Sequence, residues 1–131
     1  MDRTVVVIDR DLPKGLAANA AAVLALTTGA RRPELVGDDF SDAEGSEHPG
    51  LITTGLPVLA APAEELSALR ASALDSGLLV VALPAAAQTT TDYAVFREAI
   101  ATTSEPAYLA LLVSGRAKAV RALTGSLALL R

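Results

Sequence analysis

The stretch that decides the fold is TVVVIDRDLPKGLAANAAAVLAL, residues 4–26. Its first part, Thr4–Ile8, is β-branched and lacks polar alternation, which is typical of a central strand covered on both faces. After a polar turn, Gly15–Thr28 predicts an Ala-rich helix that ends at Gly29, since glycine tolerates the left-handed conformation found at helix ends. The side of this helix predicted to pack on the sheet carries Leu16, Ala20, Val23, Leu24 and Thr27.

The alternation of strand and helix continues to the end of the chain. The further predicted strands are Leu51–Leu59, Leu78–Leu83 and Ala107–Val113. One helix opens at Pro62 and ends at Gly77, and another is capped by Asp92 and runs to about Ala101. The last helix, Arg116–Leu123, follows a predicted turn at Ser114 and Gly115. This order predicts a three-layer α/β domain, residues 1–131, with a four-stranded mixed or parallel sheet. The residues predicted to be central and buried are Val5, Val7, Ile8, Val80, Val81, Leu111 and Val113.

Residues 34–47 differ in composition, because they hold six of the 15 acidic residues and no lysine or arginine. The turn-forming residues at positions 43–46 predict a short exposed hairpin, which we interpret as a solvated ribbon. His48 follows it and is the only histidine of the chain. In such a polar turn its imidazole suits a solvated position, and a role as general base stays open.

Composition and charge exclude several classes of function. Aromatic residues make up 3% of the chain, too few for a protein that stacks the bases of single-stranded nucleic acid. A net charge of −4 at pH 7 disfavours tRNA as a partner, because phosphate backbones attract basic surfaces. The absence of cysteine and the single histidine exclude disulfides, thiolate metal sites and a His-rich zinc site.

Signals for cofactors and targeting are missing as well. The sequence has neither a GxxxxGK[ST] loop nor a GxGxxG turn, so we expect no cofactor and no metal. Its charged start, Met1–Arg3, does not resemble a signal peptide, and no window approaches the roughly 20 apolar residues that a membrane helix needs. We therefore expect a cytoplasmic protein that does not enter membranes.

Side chains suited to ligand binding lie in the loops at the predicted carboxyl ends of strands. In the first loop, Lys14 and the free amides at Gly15 predict an anion site beside Asp11. Asn19 is the one amide of the Ala-rich helix and is predicted to face the same cleft. The same residues also suit a structural role, in which Asp11 caps the helix and Asn19 faces solvent.

Two later loops offer further polar groups. Gln88 and Thr89, with the two threonines that follow, can orient a substrate or a water, or they can cap the next helix. Arg116 begins a basic cluster with Lys118 and Arg121, which suits either an anion site or a solvated face. The residues alone leave both alternatives open for each loop.

Two separated strings resemble a known family. VVVIDRDLPKGLAANAAAVLAL, residues 5–26, resembles the first strand and helix of type-II peptidyl-tRNA hydrolases, and VSGRAKAVRALTGSLALL, residues 113–130, resembles their last strand and helix. LPKGLAANAAA together with HPG, residues 48–50, is similar to an uncharacterised bacterial family of unknown function that shares the hydrolase fold. The resemblance implies that fold and a homodimer.

The chain departs from the hydrolase pattern at the implied site. With Asn19 aligned to the hydrolase glutamine, the catalytic lysine falls on Gly15, and Lys14 stands one residue earlier. A side chain displaced by one helical residue points about 100° away. Residues 84–86, Pro-Ala-Ala, replace the hydrolase Asp-Ala-Gly string, so the carboxylate is missing. The stretch 91–103 adds a helix that is predicted to cover the cleft.

Two hypotheses follow from these residues. The first is a binding protein on the hydrolase fold that holds a small ligand between the first and third strand-helix loops. The second is a metal-independent hydrolase of peptidyl-tRNA or of another ester or amide, in which Lys14 and Thr89 act with a water. The missing carboxylate, the acidic composition and the added helix favour the first. The residues predicted to bind the ligand are Asp11, Lys14, Asn19, Gln88, Thr89 and Arg116.

Overall fold

The computed structural model describes residues 1–131 and shows a mixed α/β fold. Its strands are β1 (Asp2–Asp9), β2 (Phe40–Ser41), β3 (Glu47–His48), β4 (Val58–Ala61), β5 (Leu79–Pro84) and β6 (Tyr108–Arg116). Its helices are α1 (Lys14–Arg31), α2 (Leu66–Asp75), α3 (Tyr93–Ala101) and α4 (Ala117–Thr124). Four strands form the main sheet in the order β4-β1-β6-β5, and β2 and β3 form a separate hairpin.

The main sheet is mixed, which confirms one of the two predicted arrangements. β1 runs parallel to β4 and antiparallel to β6, and β5 runs antiparallel to β6. The carboxyl ends of β1, β4 and β5 therefore lie at the same end of the sheet, where the first and third strand-helix loops leave it. The amino end of β6 lies there too.

Both faces of the sheet carry a hydrophobic cluster, because neighbouring residues of a strand point to opposite faces. Val5 and Val7 of β1 belong to one cluster, and Val6 and Ile8 belong to the other. All four are fully buried, which accounts for a β1 sequence without polar alternation. On one face the helices α2 and α4 contribute Leu66, Ala73 and Val120. On the other face α1 contributes Ala17, Ala20 and Leu24.

Helix α1 differs from its prediction in length and in its buried side. It runs through Gly29 to Arg31, and Gly29 has no left-handed backbone angle. Leu16 and Val23, predicted to be packed, are each 41% exposed. Alanine offers a small apolar side chain in every direction, so the few larger residues do not show which side meets the sheet. The buried residues of α1 are Ala17, Ala20, Leu24 and Thr28.

Two strand boundaries were also predicted wrongly. The strand expected at 51–59 begins only at Val58, because Gly55 and Pro57 interrupt it and a proline has no N–H for a ladder. The turn expected at Ser114 and Gly115 is the continuation of β6, where both residues pair with β1. By contrast, Gly77 ends α2 with a φ of +74°, as predicted.

Strand β5 lies at the edge of the sheet, which corrects part of the predicted core. Val80 and Val81 are half-buried because β5 has a neighbouring strand on one side only. The other predicted core residues are fully buried, namely Val5, Val7, Ile8, Leu111 and Val113. None of the helices combines the length and the apolar character that crossing a bilayer requires.

We predict that a valine-to-alanine substitution lowers the free energy of unfolding more in β6 than in β5. Val113→Ala removes methyl groups from a fully buried site and is expected to lower the free energy of unfolding by about 2 to 3 kcal/mol. Val81→Ala, at a half-buried edge position, is expected to cost roughly 1 kcal/mol or less. Both sites are strand residues, so the intrinsic cost of alanine in a strand is shared. Denaturant titration measures both losses, and equal losses would contradict this placement of the two strands.

Candidate functional site

A pocket of about 370 Å³ lies where β1 leads into α1, next to β4. We call it the Lys14 pocket. Its polar lining consists of three basic side chains, Arg10, Lys14 and Arg131, and no acidic side chain lines it. Its apolar lining consists of Leu12, Ala17, Ala18, Ala21, Val58 and Leu130. The pocket therefore combines positive charge with an apolar wall.

The charge of this pocket is not compensated by ion pairs. The ion pairs of the molecule involve Arg32 and His48, and none involves a basic residue of the pocket. Helix α1 also has no side-chain cap and no acidic residue in its first turn. Its hydrogen-bond ladder begins with Ala17 N–H donating to Pro13 O at 2.8 Å, so the amides before Ala17 have no partner within the helix. Together with the helix dipole, these groups favour an anion.

The turn before α1 is held by Asp9 rather than by Asp11. The Asp9 carboxylate accepts the N–H of Asp11 at 2.9 Å, and the Asp9 carbonyl accepts the N–H of Leu12 at 3.0 Å. Asp11 itself is exposed and does not cap the helix, so this structural prediction was wrong. Because the turn is closed locally, it places Lys14 at the helix start and at the pocket.

The carboxy-terminal residues complete the pocket. Leu130 N–H donates to Val58 O, and Ala60 N–H donates to Ala128 O, each at 2.9 Å. Through these bonds residues 128–130 lie along the free edge of β4, and Leu129 forms an antiparallel β-bridge with Leu59. Arg131 reaches the pocket lining for this reason. Sequence reasoning missed Arg10 and Arg131, because nothing near Arg131 in the sequence indicates that it returns to the loop after β1.

Of the predicted ligand-binding residues, the structure brings only Lys14 to this pocket. Asn19 is exposed and is absent from the pocket lining. Gln88 and Thr89 are exposed in the loop after β5, where the Thr89 hydroxyl donates to Ala86 O at 2.8 Å. Arg116 lies opposite Asp2 in the register between β6 and β1, at the end of the sheet away from the pocket. The six residues therefore do not form one cleft.

A second groove, of about 330 Å³, lies on the other side of α1 between that helix, β5 and α3. Asp92 caps α3 as predicted, accepting the N–H groups of Ala94 and Val95 at 3.0 and 3.2 Å. Thr90 accepts the N–H of Asp92, so both polar side chains are engaged locally. The helix predicted to cover the cleft, α3, lies along this groove and not on the Lys14 pocket. The aromatic side chains that line it are Tyr93 and Phe96.

A polar network lies at the opposite end of the sheet, at the end of α1. Arg32 donates from Nη1 to Ser114 Oγ at 2.6 Å and from Nη2 to Asp2 Oδ2 at 2.5 Å. The buried hydroxyls of Thr4 and Ser114 lie 2.7 Å apart. The hydrogen bond that Arg32 donates to the Asp2 carboxylate is the main cause that raises the pKa of Arg32. With these partners Arg32 ties α1 to β1 and β6, so we assign the network a structural role.

The predicted hairpin is present, but His48 lies in its second strand, β3, and not in a polar turn after it. Its Nε2 lies 2.8 Å from Asp42 Oδ2, and its ring stacks on Phe40 with centroids 5.1 Å apart. The bond with His48 is the main cause that lowers the pKa of Asp42, followed by the amides of Ser46 and Glu44. His48 therefore holds the hairpin. No group of three or more histidine and acidic side chains is arranged to hold a metal ion.

The fold and these contacts define a mixed α/β protein with a pocket of three basic side chains where β1 leads into α1. The chain belongs to the family described as protein of unknown function (DUF2000), whose model matches residues 2–131. It is also similar to a solved structure of a protein of unknown function from Agrobacterium tumefaciens strain C58. That structure has 19% sequence identity and a TM-score of 0.90, with 98% of this chain and 96% of that chain covered. No curated protein matches the chain.

These comparisons confirm one part of the resemblance derived from the sequence, namely membership of a family of unknown function. The structural likeness at 19% identity shows that the two proteins share a fold. Neither comparison assigns a ligand or a reaction.

We predict that the pKa of Asp42 depends on the His48 ring nitrogen. His48→Phe keeps a ring to stack on Phe40 and removes the hydrogen bond, so the pKa of Asp42 is expected to rise toward its ordinary value. A carboxyl with a lowered pKa stabilises the hairpin above its unfolded pKa, and this contribution is lost as the pH falls through the lowered value. NMR titration of the Asp42 carboxyl measures the change, and the same pKa in both proteins would contradict the assignment.

Proposed function

We propose that this protein binds a small organic anion, a carboxylate or phosphate attached to an apolar body, in the Lys14 pocket. The observation that carries the proposal is the placement of three basic side chains without ion-pair partners on one apolar pocket. An anion would supply the negative charge that the lining lacks, and its apolar part would cover the alanine face of α1. We further propose that the fold is the three-layer fold of the type-II peptidyl-tRNA hydrolases, on the two strings that resemble them.

The size and the lining of the pocket support a small molecule. A volume of about 370 Å³ falls within the roughly 300 to 1,000 Å³ of small-molecule sites, which combine apolar walls with few polar groups. Arg10 and Arg131 can each offer two donors to one carboxylate or phosphate, while Lys14 adds a point charge. Unlike the cleft expected from the sequence, this pocket includes no residue of the loop after β5.

The alternative function, hydrolysis of peptidyl-tRNA or of another ester or amide, has less support. General acid–base or nucleophilic catalysis needs a group that takes up a proton or attacks the substrate. The Lys14 amine is one such group, but no carboxylate, imidazole or hydroxyl side chain lines the pocket beside it. Thr89, the other residue expected to act, has its hydroxyl bound to Ala86 O in the loop after β5. The geometry therefore favours binding over hydrolysis, and tRNA stays disfavoured by the net charge of −4. The cytoplasmic location and the bacterial origin stay predictions.

We predict that octanoate stabilises the protein and that octanamide does not. The two molecules have the same alkyl chain and differ in charge, so the comparison isolates the contribution of the basic side chains. At 100 times its dissociation constant, a ligand adds about 2.7 kcal/mol to the free energy of unfolding. Thermal unfolding with each compound measures the effect, and equal shifts with both would contradict an anion site.

A pair of lysine substitutions serves as the control for this experiment. Lys14→Gln removes a charge from the pocket, whereas Lys118→Gln removes the same charge from an exposed position on α4. Octanoate stabilisation is expected to fall in the first variant and to persist in the second. If both variants keep the full shift, Lys14 is not part of the site.

We also predict that the protein does not release peptide from peptidyl-tRNA. The expected rate equals that of buffer alone, because no carboxylate, imidazole or hydroxyl side chain lines the pocket to exchange a proton with the Lys14 amine. A cleavage assay with radiolabelled peptidyl-tRNA measures this rate. Turnover that disappears in the Lys14→Gln variant would instead establish the hydrolase alternative.

A further inference from the structure

The Lys14 pocket carries more positive charge than one carboxylate neutralises. Arg10, Lys14 and Arg131 all line this one space of about 370 Å³. None of the three takes part in an ion pair within the molecule. A ligand with a single negative charge would therefore leave an excess of positive charge in the pocket. Salt screens this excess poorly at such short range, because the screening length is about 8 Å at physiological ionic strength.

The acidic residues next to the pocket do not pair with this charge. Asp9 accepts the N–H of Asp11 in the turn before α1, and neither carboxylate lines the pocket. Neither of them forms an ion pair with a basic side chain. The uncapped start of α1, at Lys14, adds the partial charge of a helix amino end, about half an elementary charge. The lining therefore suits a ligand with more than one negative charge.

The types of the basic side chains fit a phosphate group. A guanidinium offers its N–H donors as a planar fork that matches two oxygens of one anion, and an ammonium acts as a point charge. The pocket contains two guanidiniums and one ammonium. A phosphate monoester has three terminal acceptor oxygens, so each basic side chain can contact an oxygen of its own. A carboxylate offers only two.

The rest of the lining restricts the organic part of the ligand. Leu12, Val58, Leu130 and three alanines of α1 form it, and none of them has a polar side-chain atom. Sugar hydroxyls or the edges of a nucleobase would lose their water there without finding a side-chain partner other than the three cations, which is unfavourable for buried polar groups. An alkyl or acyl body instead buries apolar surface against this wall.

From these observations we propose that the ligand of the Lys14 pocket is the dianion of a phosphate monoester with an alkyl or acyl body, bound as a free molecule and not as a lipid headgroup. This inference rests on the proposed function, because it specifies the anion that the same pocket binds. A free molecule is favoured over a headgroup because the net charge of −4 opposes contact with an anionic membrane surface.

Two ligands that differ in charge but not in shape test the inference. At pH 8 octyl phosphate carries two negative charges, because the second pKa of a phosphate monoester is about 6. Octyl sulfate carries one charge on the same chain and also has three terminal oxygens. Calorimetric titration below the micellar concentration is expected to give octyl phosphate a dissociation constant at least about tenfold lower than that of octyl sulfate, with octanoate close to the sulfate.

The outcomes separate this inference from the proposed function. Equal dissociation constants for octyl phosphate, octyl sulfate and octanoate would overturn the inference and leave the anion site standing. Binding of none of the three would overturn both the inference and the anion site.

Substitutions test whether the preference for the dianion arises in the pocket. Lys14→Gln and Arg131→Gln each remove one positive charge from the lining, so the ratio of the two dissociation constants is expected to fall about threefold or more. Lys118→Gln removes one charge from an exposed position on α4 and is expected to keep the ratio. Because both constants are measured on one protein preparation, a partial loss of folded protein does not change their ratio. An unchanged ratio in both pocket variants would overturn the inference.

Two further probes test the body of the ligand and its source. Ribose 5-phosphate is a dianionic monoester with a hydroxylated body, and it is expected to bind at least about tenfold more weakly than octyl phosphate. Vesicles of phosphatidylcholine and phosphatidic acid, whose headgroup is also a phosphate monoester, are expected to float without the protein, as vesicles of phosphatidylcholine alone do. Equal binding of ribose 5-phosphate would overturn the apolar body. Flotation of the natural chain, but not of Lys14→Gln, with phosphatidic acid would overturn the free ligand in favour of a headgroup.

Discussion

The double-sided burial of β1 is the constraint on which the rest of the structure depends. Its valines alternate between two hydrophobic clusters, so one strand supplies the centre of both. β1 also pairs with strands on both edges, parallel to β4 and antiparallel to β6. A strand in this position has no face left for polar residues except at its ends. The polar residues of β1 therefore lie at its two ends, at positions 2–4 and at Asp9. Asp2 and Thr4 belong to the Arg32 network, and Asp9 holds the turn before α1.

The alanine content of α1 determines what surrounds this strand. Ala17 and Ala20 are buried against the sheet with little volume, so the helix lies close to it. The same small side chains leave space along one flank, where the Lys14 pocket forms. Leu24 is the one large side chain of α1 buried beneath it, whereas Leu16, Val23 and Leu26 lie on other sides of the helix and are exposed. The Lys14 pocket thus follows from the close packing of an alanine-rich helix on the sheet.

The two ends of α1 are held by different means. At its start, the turn closed by Asp9 leaves the first amides of the helix uncapped beside Lys14. At its end, Arg32 bonds to Asp2, Ser114 and Glu34, so the helix is tied to the sheet by charge. The tied end has its basic group paired, whereas the open end has three basic groups without acids. The anion that we propose would supply at the open end the negative charge that Asp2 and Glu34 supply at the other.

The sequence by itself determined the element types, the buried character of β1, the cap at Asp92, the end of α2 at Gly77 and the exposed hairpin. Each of these depends on neighbours within a few residues, through β-branching, side-chain capping or backbone conformation. Only the tertiary structure decided which side of α1 is buried, because alanines occur on every side of this helix. It also made β5 an edge strand and extended β6 through Ser114 and Gly115, since strand pairing joins residues far apart in the chain. The site followed the same division. Lys14 was visible in the local sequence, and Arg10 lies four residues before it at the end of β1, whereas Arg131 meets them only because residues 128–130 bind along β4.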